Sequence, residues 1–319
     1  MHCRDGLLLI IDGSNLAHRT YMKFQNLKSS KGVPTGMVYG FIRLLQSYAV
    51  RFKPTYIVVA FDTHQSKESN FKKELLGSYK IHREEHNKNI SFDYEDFNRQ
   101  TRVVKKILKF LNIPVIWDSK GLGHEADDYI AYLAMKHHGK VEIVSSDKDF
   151  CQLLKWTKIK IYNPNKEKIL NTRNCREIME YSPEECVDWL CLLGDKSDDI
   201  PGYSGMGPVK TRQFLDEFGS IRSFLENPDN SFRGIDRDGL EDLYKRNTLL
   251  IDFCEGLKAY PFKEIPVTLN QGEIQYDKLK KLLSKYTLYS FLREEFIEPF
   301  TNVEYYNMNR YASVKNRKR

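Results

Sequence analysis

Leu7-Leu8-Leu9-Ile10-Ile11-Asp12-Gly13-Ser14-Asn15 is the stretch from which the fold is read. An unbroken aliphatic run, with no alternation of polar and apolar residues, describes a strand covered on both faces. The run stops on an acid. The same grammar returns downstream: residues 56–61 end at Asp62, and residues 141–144 lead through Ser145 and Ser146 to Asp147. Residues 114–117 and 159–162 are further short runs of this kind. Between them, residues 36–51 and 97–111 repeat apolar side chains at three- and four-residue spacing, the period of an amphipathic helix. Strands alternating with helices predict an α/β fold with a mostly parallel central sheet flanked by helices. Ligands of such sheets gather at the carboxyl ends of the strands. One acid there is an ordinary turn or helix cap. Acids at the end of strand after strand build a carboxylate cluster along one edge.

The chain has 319 residues, 41% of them hydrophobic, enough for one large domain with a smaller appendage. Its 50 Lys+Arg against 43 Asp+Glu give a net charge of +7, compatible with a nucleic-acid partner without requiring one. The six cysteines, Cys3, Cys151, Cys175, Cys186, Cys191 and Cys254, form no CxxC pair and have no histidines at zinc-finger spacing. They read as reduced thiols of a cytoplasmic protein. His18, His64, His124, His137 and His138 form neither a metal-ligand pattern nor a catalytic dyad. The opening apolar run ends at Asp12 without a small-residue cleavage site, and no run is long enough to cross a bilayer, so no membrane role is expected. Residues 64–96 are polar and too long for an ordinary connection, which marks a functional lid or a disordered segment. From about residue 182 the pattern changes to short helices joined by Gly/Pro turns. The last five residues contain four Lys/Arg.

Three acidic groups carry the chemistry. In Gly123-His124-Glu125-Ala126-Asp127-Asp128, three carboxylates crowd a helix start, where the dipole alone tolerates acids. Their mutual repulsion costs stability unless a cation neutralises it. Ser145-Ser146-Asp147-Lys148-Asp149-Phe150 places two acids just after a strand, and Gly194-Asp195-Lys196-Ser197-Asp198-Asp199 adds three. Any one of these groups alone is most simply a solvated surface. Oxygen-only sets suit Mg²⁺ or Mn²⁺ rather than zinc, and no loop has EF-hand spacing. A multi-metal site of this kind suits in-line phosphoryl displacement, with two ions about 4 Å apart.

These motifs, taken in order, resemble the 5′-nuclease family: Ile11-Asp12-Gly13-Ser14-Asn15, Lys31-Gly32-Val33-Pro34-Thr35-Gly36 with Tyr39-Gly40-Phe41, Phe61-Asp62, Glu125-Ala126-Asp127-Asp128, Ser146-Asp147-Lys148-Asp149, and Gly194-Asp195 through Ile200-Pro201-Gly202. The family includes the 5′-nuclease domain of bacterial DNA polymerase I and the stand-alone flap endonucleases and RNase H enzymes of large bacteriophages. The resemblance covers residues 7–218, and the stand-alone form is the one expected. It implies that Asp12, Asp62, Glu125 and Asp127 surround a first metal, and Asp147, Asp149 and Asp195 a second. Asp128 and Asp198 would act mainly through metal-bound water. Asp199 departs from the family, which usually has Asn there.

Phe71-Lys72-Lys73-Glu74-Leu75-Leu76-Gly77-Ser78-Tyr79-Lys80-Ile81-His82-Arg83 interleaves bases with aromatics. That pattern describes either a solvated amphipathic helix or a conduit for single-stranded nucleic acid. It resembles the family's helical arch, whose Tyr-Lys-x-x-Arg element is matched by Tyr79, Lys80 and Arg83. Lys80 and Arg83 would thereby join the catalytic set. Lys72 replaces an Arg and would offer a phosphate a point charge instead of a fork. Gly202-Tyr203-Ser204-Gly205-Met206-Gly207-Pro208-Val209-Lys210-Thr211 is a Gly-rich turn opening a helix, and such a turn can be plain or phosphate-binding. It resembles the family's helix-hairpin-helix, which would hold one duplex strand through Gly205, Gly207, Lys210, Thr211 and Arg212 and bind K⁺ through backbone carbonyls. Pro208 lacks an N–H that the phosphate would otherwise receive.

The expected organisation is a nuclease core over residues 1–178 with an arch at about 64–98, a helix-hairpin-helix region with C-terminal helices over 179–300, and a basic flexible tail over 301–319. The expected function is a structure-specific 5′-nuclease acting on 5′ flaps, nicked or branched duplex DNA, or RNA primers. It would work as a monomer in a bacterial cell or phage-infected host, with a clamp or single-strand-binding protein as candidate partners. A PIN-like ribonuclease would share the strand-end acids but lack the hairpin. A non-catalytic junction-binding protein would have no need of the full acid set.

Overall fold

The computed structural model describes residues 6–63, 68, 70–81, 92–268 and 272–308. Strand β1 (Leu8–Asp12) lies at the centre of a seven-stranded sheet ordered β6-β5-β4-β1-β2-β3-β9. Its parallel neighbours are β2 (Tyr56–Phe61) and β4 (Val141–Val144), with Leu8 opposite both Tyr56 and Val141. β3 (Val115–Trp117) and β5 (Ile159–Asn163) extend the parallel part outward. Because side chains alternate along a strand, Leu8 and Ile10 face one apolar layer and Leu9 and Ile11 the other. That two-sided burial is why β1 carries no polar residue before Asp12.

Helices α1 (Gly13–Lys23), α2 (Gly36–Phe52) and α4 (Tyr94–Phe110) supply one of these layers, while α5 (Ala126–Lys136) and a 3-10 helix (Asp149–Lys155) supply the other; α3 (Phe71–Leu75) precedes α4 in the chain. α1 and α2 meet closely: a Cβ on Gly36 would lie 1.8 Å from the Phe24 carbonyl oxygen, so only glycine fits. Short helices follow: α6 (Cys175–Met179), α7 (Cys186–Leu193), α8 (Pro208–Phe218), α9 (Ile221–Glu226), α10 (Arg237–Ile251), α11 (Phe253–Ala259), α12 (Tyr276–Lys285) and α13 (Glu294–Thr301). A hairpin of the two-residue strands β7 (Gly194–Asp195) and β8 (Ile200–Pro201) joins α7 to the turn before α8. One apolar cluster runs without a break from Leu8 and Ile130 to Phe214, Leu240 and Leu250, so residues before and after 178 share a core. Among the described residues, no helix is long and apolar enough to cross a membrane.

Two features differ from the sequence reading. The sheet gains antiparallel edges, β6 (Lys168–Leu170) and β9 (Val267–Thr268), too short to show a period. Within the tail expected from 301 onward, the chain up to Met308 contacts the rest of the fold. The Glu304 N–H donates to the Thr55 carbonyl at 2.8 Å, the Tyr306 ring lies 5.3 Å from that of Tyr56, and Met308 is buried.

Glu142 provides a test of the core. It sits on β4 at 5% exposure with Oε1 lacking a hydrogen-bond partner, and burial pushes its carboxyl up to about 7. A carboxyl raised in the folded state contributes stability below its unfolded value, and that contribution is lost as pH rises through about 7. Glu142→Gln is therefore expected to melt a few degrees above the wild type at pH 8, a difference of roughly 2–3 kcal/mol, and to match it at pH 5. Melting curves at the two pH values check this; a variant less stable at pH 8 would show that the charged form is favoured in the fold.

Candidate metal centre

Asp12 ends β1 and caps α1. Its carboxylate accepts the Asn15 N–H at 2.9 Å and the Ser145 hydroxyl at 2.7 Å. Asp62, just after β2, receives the Ala126 N–H at 2.9 Å, and its own N–H donates to Ser14 Oγ at 2.8 Å. The amino end of α5 is thereby tied to the carboxyl end of the sheet, and Asp127 comes to the same edge. Burial pushes the Asp12 carboxyl up to about 7, with Asp62 and Asp147 adding repulsion. Asp127 is raised well above the usual range, first by burial and then by Asp147, Asp12 and Asp62. These carboxylates are close enough to resist sharing their charge without a cation.

A second group lies beside the first. The N–H of Asp147 donates to Ser145 Oγ at 3.1 Å, and Asp147 Oδ1 accepts the Asp149 N–H at 2.9 Å. The hairpin brings Asp195 and Asp198 to this turn, and carboxylate oxygens of Asp149, Asp195 and Asp198 lie within 4.8 Å of one another. The hairpin is fixed by a close approach, since a Cβ on Gly194 would fall 2.3 Å from the Gly202 nitrogen. Burial, then Asp147, Asp195 and Asp198, holds the Asp149 carboxyl well above its usual range, and its Oδ1 is buried without a hydrogen-bond partner. Asp195 is lower than usual: burial opposes its charge, but Lys148 at 3.1 Å and Ser197 more than compensate. An all-oxygen set with an orphaned buried acceptor fits a divalent cation of the Mg²⁺ or Mn²⁺ type.

Glu125 belongs to a different environment from Asp12, Asp62 and Asp127. Burial alone would raise its carboxyl, but Lys80 and Lys72 hold it well below the usual range. Lys80 Nζ lies 2.7 and 2.8 Å from its two oxygens, and the Tyr79 hydroxyl donates to it at 2.9 Å. Lys72 Nζ is 3.6 Å from Glu125 and 3.2 Å from Asp128, and Asp128 also accepts the Glu125 N–H at 3.0 Å. Despite its burial, Lys72 holds its proton more tightly than usual because of Asp128 and Glu125. Two arch residues expected to meet DNA are buried. Lys72, 5% exposed, is paired internally with Asp128 and Glu125, and Tyr79 is 2% exposed. Arg83 lies outside the described residues.

Residues 7–181 match the model of a 5′-3′ exonuclease N-terminal resolvase-like domain. A 5′-3′ exonuclease of Aquifex aeolicus is 32% identical over 293 residues, covering 90% of this chain and 94% of that one. The chain belongs to the 5′-3′ exonuclease family. The thermostable DNA polymerase I of Thermus filiformis is 34% identical over 74% of this chain, which spans only 27% of that enzyme. The T5 D15 protein co-crystallised with metal ions shares the fold, with a TM-score of 0.64 and 21% identity over 88% of this chain and 98% of that one.

In this family member the Gly-rich turn presents a mixed surface. Gly205, in the left-handed region at φ 79°, is exposed, Gly207 caps α8, and Lys210 is exposed on the first turn. Thr211, expected to contact a phosphate, is fully buried. Arg212 is engaged with Glu185 at 2.6 Å and Asp216 at 3.0 Å. Lys210 is therefore the cation of this turn best placed for a phosphate. Lys210→Ala is expected to weaken duplex binding and lower the log–log salt slope by roughly one unit, with turnover at saturation little changed. Binding isotherms across a salt series check this; unchanged slope and affinity would remove Lys210 from the interface.

The sequence reading missed the second layer. Ser14 and Ser145 orient Asp62 and Asp12, and Asn15 Nδ2 donates to Ser146 Oγ at 2.8 Å. All four residues lie within the quoted motifs, so position was the available signal. The pairing of Lys148 with Asp195 had none.

Proposed function

We propose that the chain is a structure-specific 5′-nuclease that hydrolyses phosphodiester bonds at 5′ flaps and 5′ ends of nicked or branched duplex DNA. The observation that carries this reading is the meeting of two carboxylate groups, Asp12/Asp62/Asp127 and Asp149/Asp195/Asp198, at one sheet edge, with the Asp149 Oδ1 orphaned. Asp12, Asp62, Glu125, Asp127, Asp147, Asp149 and Asp195 would hold two Mg²⁺ or Mn²⁺ ions, with Asp128 and Asp198 acting mainly through intervening water. Such ions supply Lewis acidity and lower the pKa of water near the phosphate. The chain's own part is positioning. Ser145 and the α5 amino end fix the Asp12 and Asp62 carboxylates, Ser14 holds the Asp62 backbone, Lys80 offers a cation at the arch base, and Lys210 would hold the duplex. The turn and flanking helices of residues 186–218 would serve as the helix-hairpin-helix, with K⁺ at its carbonyls.

The test is incubation of the purified protein with 5′-flap, nicked, RNA–DNA and single-stranded substrates, with Mg²⁺, Mn²⁺ or EDTA. Flap and nick cleavage from the 5′ side, lost in EDTA, is expected. Cleavage of single-stranded RNA alone, or activity that survives EDTA, would overturn the reading.

A further inference from the structure

The arch base is fastened to the metal centre by contacts that separate into two kinds. One is made by backbone: the Lys80 N–H donates to the Asp198 carbonyl at 3.0 Å, with Lys80 in the left-handed region at φ 60°. The other is made by the side chain: Lys80 Nζ lies 2.7 Å from Glu125 Oε1, 2.8 Å from Oε2, and 3.5 Å from Asp198 Oδ2. A side chain on a long flexible stem can leave while its backbone stays in place. Neither carboxylate would then be bare. Glu125 keeps Lys72 and the Tyr79 hydroxyl, and Asp198 keeps Tyr79 at 3.2 Å. Lys72 is less free to leave, because it is also paired to Asp128 and is nearly inaccessible.

Resting on the divalent-cation reading above, we propose that the Lys80 ammonium and a divalent cation compete for Glu125 and Asp198, so that metal loading releases Lys80 from the centre toward the substrate. A divalent charge placed near these carboxylates repels an ammonium that shares them, and the linkage is reciprocal: whatever weakens the Lys80 contacts tightens metal binding by the same factor. The exchange also orders events. The catalytic cation of the arch becomes available when the metal centre is filled, and Lys72 and Tyr79 keep the arch base seated meanwhile.

The experiment is calorimetric titration of the DNA-free protein with Mn²⁺ at low ionic strength, for wild type, Lys80→Met and Lys80→Arg. Lys80→Met, which keeps the apolar stem and removes the charge, is expected to bind Mn²⁺ about tenfold tighter. Lys80→Arg, which keeps the charge, should stay within a few-fold of wild type. Equal or weaker affinity in Lys80→Met overturns the competition. Absence of Mn²⁺ binding in the wild type overturns the metal reading itself, and the two failures are thereby distinguishable. A second measurement uses the wild type alone: trace acetylation of lysines, read by mass spectrometry, should label Lys80 several-fold faster when Mg²⁺ is added. Unchanged or slower labelling of Lys80 contradicts its release.

Discussion

The double substitution Asp147→Asn, Asp149→Asn is expected to reduce flap cleavage by about a thousandfold or more while leaving duplex binding near wild type. Removal of a single fixed electrostatic group from a reaction centre typically costs about a hundred- to a thousandfold, and here two charges of one ligand set are lost. The loop itself should survive. Asp147 Oδ1 accepts the Asp149 N–H at 2.9 Å, and an amide oxygen at residue 147 can accept the same bond. Asp149 is held above its usual range by burial and by Asp147, Asp195 and Asp198, so neutral side chains relieve a strain of the fold. The double variant should accordingly melt no lower than the wild type in EDTA, which separates lost chemistry from lost structure. Lys210 and the backbone of the Gly-rich turn are untouched, so fluorescence anisotropy with a 5′-flap duplex should change little. Single-turnover cleavage at the wild-type rate would remove these residues from the metal centre.

The sheet was legible because two-sided burial leaves an unmistakable mark: Leu8 to Ile11, Ile57 to Phe61 and Ile143 to Val144 need no partner to be recognised as interior strands. The acids that follow were legible for the same reason, since a charged residue directly after such a run marks the strand's carboxyl end. The direction of the arch base was not legible. Phe71, Lys72, Tyr79 and Lys80 alternate aromatic and basic character in a way that suits a nucleic acid as well as a buried carboxylate. What decides between them is Glu125, Asp128 and Asp198, remote in sequence. Thr211 was similarly ambiguous, because the first turn of a helix has one face toward a ligand and another toward the core. Asp199 illustrates the reverse, a residue whose type suits the backbone it occupies. It sits in the left-handed region at φ 57°, where Asn and Asp are the best tolerated non-glycine residues.

Lys80→Ala is expected to lower the single-turnover rate at saturating enzyme by about a hundred- to a thousandfold, roughly 3–4 kcal/mol of transition-state stabilisation. Lys80 is held at two points. Its backbone is pinned to the Asp198 carbonyl, and its ammonium stands beside Glu125 and Asp198, at the edge where the carboxylates of the metal centre converge. From that anchor a lysine stem can carry its charge to a phosphate held at the centre, where negative charge grows as the bond breaks. A lysine that only attracted DNA would behave differently: affinity would fall with salt, and the saturated rate would not. A lysine that only neutralised Glu125 would give a third pattern, a loss of melting temperature with a rate that recovers at high Mg²⁺. Rapid-quench cleavage of a 5′-flap substrate across a Mg²⁺ series distinguishes the three. A deficit that persists at saturating enzyme and saturating Mg²⁺ places Lys80 in the reaction. A rate within a few-fold of wild type under those conditions takes it out and leaves the arch base with a purely electrostatic role toward Glu125.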